Sequence, residues 1–157
     1  MRYVELLGRV LFSLIFITGS FQLFTANGMA MAAEKGVIAP NILVPFAGLM
    51  ILSGGLGIFL GCRTKLCAWL IVLFLVPVTL VMHAYWLEHD AATRLMQQVN
   101  FIKNIAMLGG AFVITYFGAG PISIDARRSP RQPTLAGMPL GPGRRDEMES
   151  AGYPKAA

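Results

Sequence analysis

Five side chains stand out because each lies within or beside a strongly apolar stretch: His83, Trp86, Asn100, Lys103 and Asn104. In hydrocarbon a polar group must find a partner or reach water, so such residues are read first as sites of function. Positions 100, 103, 104 and 107 follow the i, i+3, i+4, i+7 spacing of one helix face, which puts both asparagines and Lys103 on a single stripe with Met107. The run Met82-His83-Ala84-Tyr85-Trp86-Leu87-Glu88-His89-Asp90 supplies a counterpart. Its Tyr85 and Trp86 suit a membrane interface, where a ring can be half wet. Glu88 and Asp90 are placed to neutralise Lys103 and Arg94. Two readings of this cluster compete. The default is a structural hydrogen-bonded network that locks two helices together. The sharper one is a pocket for a quinone head group, another small ligand or a partner protein, with His83 able to exchange a proton near neutral pH.

Other chemistry finds less support. No second histidine stands at ligand spacing, which argues against a metal or haem site. Cys62 and Cys67 flank Arg63 and Lys65, cations that would favour thiolate. Their C-x4-C spacing matches neither redox nor zinc motifs, and inert, reduced thiols are expected. Glu5 and Arg9 stand four apart and are expected to pair, with Arg9 snorkelling to the interface. No nucleophile–base pair, phosphate-cradling loop or dinucleotide fingerprint occurs, so no catalytic residue is assigned.

The elements that must position these residues are long apolar blocks. Of 157 residues, 55% are hydrophobic and 13% charged, against about 25% charged in a soluble domain. Four spans are predicted over residues 9–24, 41–60, 66–87 and 101–117. About 20 helical residues cross a hydrocarbon core of ~30 Å, so the first and last blocks need flanking residues to reach both interfaces. Pro77 lies in mid-span and predicts a kink. The connection 25–40 reads equally as a loop or as a short amphipathic element at the interface. Gly54, Gly55, Gly57 and Gly61 predict close helix packing inside the bundle, with homodimerisation through the GxxxG pair as the alternative.

Charge sets the orientation. Ten Lys and Arg side chains (positions 2, 9, 63, 65 and six in the tail) fall on one side of the spans, and Lys35, Arg94 and Lys103 fall on the other. That asymmetry predicts both termini and the Cys62–Cys67 turn in the cytoplasm. The net charge of +5 is then a topology signal beside anionic lipid, and no domain remains to bind nucleic acid. A cleaved signal peptide ending near Ala30-Met31-Ala32 is a minor alternative. Residues 121–157 hold six of the nine prolines and ten of the 21 charges. They are read as a flexible cytoplasmic tail after a four-helix domain over residues 1–120.

Several motifs resemble those of the DoxX family of four-span bacterial membrane proteins, over about residues 6–125. They are Leu7-Gly8-Arg9, Gly19-Ser20, Ser53-Gly54-Gly55-Leu56 with Gly61 and Arg63, and His83-Ala84-Tyr85-Trp86. The stretch Asn100-Phe101-Ile102-Lys103-Asn104-Ile105-Ala106 leads to Gly109-Gly110, and Gly118-Ala119-Gly120-Pro121-Ile122-Ser123-Ile124-Asp125 closes the set. Many relatives carry an acidic residue shortly before the paired glycines. Here residues 49–52 are wholly apolar, which departs from that pattern. The resemblance implies a four-helix bundle and a link to redox physiology. Some relatives are named as subunits associated with thiosulfate:quinone oxidoreduction, and others are thought to scaffold complexes that protect against oxidative stress.

The expectation is therefore an all-α, four-helix integral membrane bundle in a bacterial inner membrane. It would serve as an accessory or scaffolding subunit of a redox or oxidative-stress complex, with protein partners or a second copy of itself. A quinone-interacting subunit is the alternative. A small four-span transporter fits less well, since such transporters depend on a carboxylate in the first span and residues 10–24 contain none.

Overall fold

The computed structural model describes residues 2–128. Among them every regular element is helical. Helix α1 covers Arg2–Leu23, α2 Ala26–Glu34, α3 Pro40–Leu60, α4 Thr64–Met82, α5 Ala91–Phe117 and α6 Ile124–Arg128, with one 3₁₀ turn at Tyr85–Leu87. Four of these are long and apolar enough to cross a membrane.

Local chemistry explains most boundaries. The Thr25 hydroxyl caps α2 by accepting from Gly28 N at 3.1 Å. Thus the 25–40 connection holds a nine-residue helix, with Gly28 and Ala32 buried and Met31 half exposed. Pro40 opens α3 at a position whose N–H has no helical partner. Gly61 ends it in the left-handed region at φ 68°, where Gly61 N bonds Ile58 O and Cys62 N bonds Gly57 O. Pro77 sits inside α4 and deprives the Leu73 carbonyl of its donor. Asp90 caps α5 by accepting from Thr93 N and the Thr93 hydroxyl, both at 2.8 Å.

The spans differ from the sequence windows where polar turns remain helical. With 22 and 27 residues, α1 and α5 rise about 33 and 40 Å, enough for a ~30 Å core. The α-helical part of the third span stops at Met82, and a cap and a 3₁₀ turn carry the span on to Leu87.

α1 packs on α3, α3 on α4 and α4 on α5. The α1–α5 seam is bridged by Phe12 against Gly110. Phe16, Ile51, Ile58, Ala68, Ile71 and Leu75 form the core. Within the spans the hydroxyls of Ser13, Ser20 and Thr79 bond to their own helices, at Val10 O, Ile17 O and Leu75 O, so these three need no polar partner from hydrocarbon. The outside is strongly apolar: Leu11, Phe46, Trp69, Leu73 and Ile102 are each more than half exposed. Such a surface suits lipid rather than water.

The glycines of α3 serve the chain's own seams. A Cβ at Gly54 would meet Ile71 Cδ1 at 2.9 Å and Cys67 O at 3.1 Å, and one at Gly55 would meet Ile17 Cγ1 at 3.0 Å. One at Gly57 would collide with the Cys67 side chain. α3 is thereby wedged between α1 and α4, in line with close packing inside the bundle.

Candidate functional site

Polar side chains gather at two ends of the bundle. At the His83 end, α4 has just stopped, and His83 is its C-cap. His83 Nδ1 lies 2.8 Å from Gln97 Oε1 on α5. Trp86 stands in the 3₁₀ turn, 52% exposed, with its ring edge-on to Tyr85 and to Phe101 at centroid separations of 5.2 and 5.8 Å. Tyr85 and Phe101 close this aromatic trio at 5.5 Å.

The α5 stripe divides. Asn104 is buried at 8% exposure, Asn100 is half-buried and Lys103 is exposed. Neither Lys103 nor Asn104 enters a hydrogen bond or ion pair among the described residues. His83 and Trp86 therefore reach α5 through Gln97 and Phe101, and the five predicted residues line none of the cavities described below. Gln97 was missed because a glutamine in the polar first half of α5 gives no signal by itself.

The carboxylates take other partners than expected. Glu88 pairs with Lys35 at 2.5 Å, tying the turn after α4 to the end of α2. Its backbone carbonyl accepts from Arg94 Nε and Nη2 at 3.0 and 2.8 Å. Asp90 caps α5, and those hydrogen bonds from Thr93 hold its carboxyl below the usual range. Lys103 lies 13 residues farther along α5, about 20 Å by helical rise, beyond the reach of either acid. The expected neutralisation of Lys103 thus fails on distance.

At the Cys62 end, residues 118–128 fold back across the bundle. The Asp125 carboxylate accepts from Arg63 N at 2.7 Å and from Thr64 N and the Thr64 hydroxyl at 2.9 Å. Its own N–H donates to Gly61 O at 2.8 Å. Arg63, at φ 46°, gives α4 no side-chain cap, so a carboxylate from 61 positions away supplies one. Burial alone would raise the Asp125 pKa. The donors from Thr64 and Arg63, with the charge of Arg128, outweigh it and hold the carboxyl below its ordinary value.

Arg9 completes this closure. It is buried, and its Nη1 and Nη2 donate to Ala119 O and, at 2.9 Å, to Ile122 O. The expectation of a snorkelling Arg9 paired with Glu5 is corrected: the returning segment offers carbonyls where a bare helix end would offer water. Gly120 adopts φ 75°, a left-handed conformation that favours glycine, and a Cβ there would push aside the tip of the Glu5 side chain. Residues 121–128 of the predicted tail accordingly lie against the bundle. The rest of the predicted tail, 129–157, lies outside the described residues.

Cys62 and Cys67 are both free thiols. The Cys67 thiol sits 3.5 Å from Cys62 O, and Arg128 Nη1 is 3.8 Å from Cys62 Sγ. Among the described residues no group of three or more His, Cys, Asp or Glu side chains forms a metal site.

Three cavities accompany these ends. One of about 600 Å³ lies beside Arg63, Lys65, Asp125 and Arg128. One of about 500 Å³ is bounded by Arg9, Phe59, Pro121 and Arg127. The third, about 530 Å³, is apolar and opens among α2, α3 and α4 beside Phe46, Met50, Phe74 and Pro77.

Residues 1–130 match the model of the SURF4 family. The chain is 28% identical over 120 residues to inner membrane protein YqjF of Escherichia coli K12, covering 76% of this chain and 88% of that protein. It is 29% identical over 125 residues to inner membrane protein YphA of the same strain, covering 78% and 88%. No solved structure matches the chain significantly.

Proposed function

The chain belongs to the SURF4 family and is an inner-membrane protein, and on that footing we propose that it is a non-catalytic accessory subunit which assembles with a membrane redox or oxidative-stress complex. The DoxX resemblance of its motifs motivates the redox part of this reading.

The observation that carries it is the state of α5. Of its 27 residues only Asn104 and Ala111 are buried, and Lys103 lies on the open face. Helix α4 has 19 residues and rises about 28 Å. Counting 14 residues back from Phe117 puts Lys103 about 21 Å along α5, inside a ~30 Å core. An ammonium on a lipid-facing surface at that depth costs about 2.5–3.5 kcal/mol at the helix centre, and less where it can snorkel. A neighbouring subunit offering a carboxylate or carbonyls would remove that cost. The titratable groups elsewhere support a structural role: Glu88, Asp90 and Asp125 serve as ties and helix caps.

Asn104 favours a second reading. It is 8% exposed as a residue and its amide makes no hydrogen bond among the described residues, and a quinone carbonyl beside it would supply an acceptor. His83, Trp86, Asn100 and Lys103 would then surround the head group.

One preparation tests both. The full chain, purified in mild detergent, should bring down a stoichiometric membrane partner, and Lys103→Leu should release it. A chain that runs alone removes the accessory reading. Lipid extracts of the same preparation should hold quinone only under the second reading, with Asn104→Ala losing it. Equal quinone in both samples removes that one.

A further inference from the structure

Arg9 poses a problem that the described chain does not solve. Its side chain is 94% buried, and two of its three nitrogens donate to Ala119 O and Ile122 O. The third, Nε, is buried and meets no acceptor. Buried donors on charged groups are nearly always satisfied, because an unpaired one bears the full loss of its hydration. Of the nearby carboxylates, Asp125 is held by Arg63 and Thr64, and Glu5 makes no hydrogen bond to Arg9, whose two bonds go to Ala119 O and Ile122 O.

Arg9 lines the cavity of about 500 Å³ between α1, α3 and the returning segment. A second cation, Arg127, stands at its edge, and no carboxylate contributes to its wall. Arg127 itself is exposed. The remaining wall is mostly apolar, with Leu6, Phe59, Leu60, Pro121 and Ile122. Phe59 and Leu60 also face outward, 37% and 52% exposed. Two guanidiniums beside an apolar wall that opens on the outside of a membrane bundle, at the level of the helix ends, match an anionic amphiphile. A free hydrated ion would lose water against that wall without compensation.

We propose that this cavity binds the phosphate of an acidic phospholipid, in the leaflet at the Cys62 end of the bundle. Arg9 Nε and Arg127 donate to phosphate oxygens, while Phe59 and Leu60 receive the glycerol and the first methylenes. Under the charge asymmetry this is the cytoplasmic leaflet, where anionic lipid and basic juxtamembrane residues attract each other. Guanidinium suits the task because its planar fork meets phosphate oxygens in pairs. The bound lipid would also brace residues 118–128 against α1 and α3.

The full chain is purified in mild detergent and offered phosphatidylglycerol or phosphatidylcholine, and lipid retention is read by native mass spectrometry. Phosphatidylglycerol should persist as a single adduct, and phosphatidylcholine should not. Arg127→Gln, which touches no described hydrogen bond, should lower retention roughly tenfold, the scale of one charge-assisted hydrogen bond. Arg9→Lys, which keeps the charge and lacks Nε, should lower it as well. Arg94→Gln at the opposite end should not. Equal retention in wild type and Arg127→Gln overturns the proposal, as does equal retention of the two lipids. Displacement of the lipid by inorganic phosphate would assign the site to a free anion instead.

Discussion

Asp125 closes the Cys62 end with one carboxylate and three donors, and its removal tests how far a remote cap holds a membrane helix. Asp125→Ala leaves Arg63 N and Thr64 N without that acceptor and should cost about 1–2 kcal/mol, the range of an N-cap deletion. Thermal unfolding in detergent, followed by circular dichroism, measures it. The pH dependence has a definite sign. The folded carboxyl titrates below its ordinary value, so its stabilisation is fully present above the unfolded pKa of about 3.9. It is lost as pH falls through the lower folded value. Wild type and Asp125→Ala should therefore differ by a constant amount from neutral pH down to about pH 5, and converge in stronger acid. A gap that closes already near pH 6 would assign the effect to another group. At this scale the sequence was partly legible. It picked out Asn104, which is buried, and Lys103, which is not, since helical spacing ranks residues around an axis but does not say where a neighbour stops. It missed Asp125 as a cap, because nothing near Thr64 in the chain announces a partner 61 positions away.

Among the elements, α3 carries the tightest constraint. Its Gly54 faces α4, with Cys67 O 3.1 Å from a would-be Cβ. Backbone cannot step aside as a flexible side chain can. Gly54→Ala should destabilise by about 1–3 kcal/mol through overpacking. Gly109→Ala on α5, where a Cβ meets nothing within 4 Å, should instead be neutral or stabilise by about 0.5–1 kcal/mol through lower chain entropy. Melting temperatures of the two variants in one detergent decide it, and equal losses would show that the α3–α4 seam is no tighter than an open helix face. The glycine run was readable as a packing device. What it packs against was not, because GxxxG serves a neighbouring helix and a second copy equally well. The four spans were readable too, although hydropathy placed the starts of α1 and α5 too late and ran past the end of α4 into the turn that follows it. Polar turns continue a helix beyond the hydrocarbon, and apolar residues such as Trp86 and Leu87 can sit in a cap.

For the molecule as a whole, the charge asymmetry is the quantity to test. Both termini and Cys62 are proposed to face the cytoplasm, from ten basic side chains on that side against three on the other. Cys62 is partly exposed and unpaired, so it reports its own side. A membrane-impermeant maleimide should label it in inverted vesicles and spare it in intact spheroplasts. The opposite pattern would turn the protein over and move the phospholipid site to the other leaflet.

Composition and apolar run length determined that this chain is a four-helix membrane protein, because every backbone N–H and C=O in hydrocarbon must be paired within a helix and about 20 apolar residues are needed to cross. The tertiary structure alone decided that residues 118–128 return to the bundle, that Arg9 is buried beneath them and that α5 remains largely open. Those outcomes depend on hydrogen bonds between Arg9 and Ile122, or Thr64 and Asp125, whose partners are far apart in the chain. Hydropathy and local spacing hold no information about such pairs.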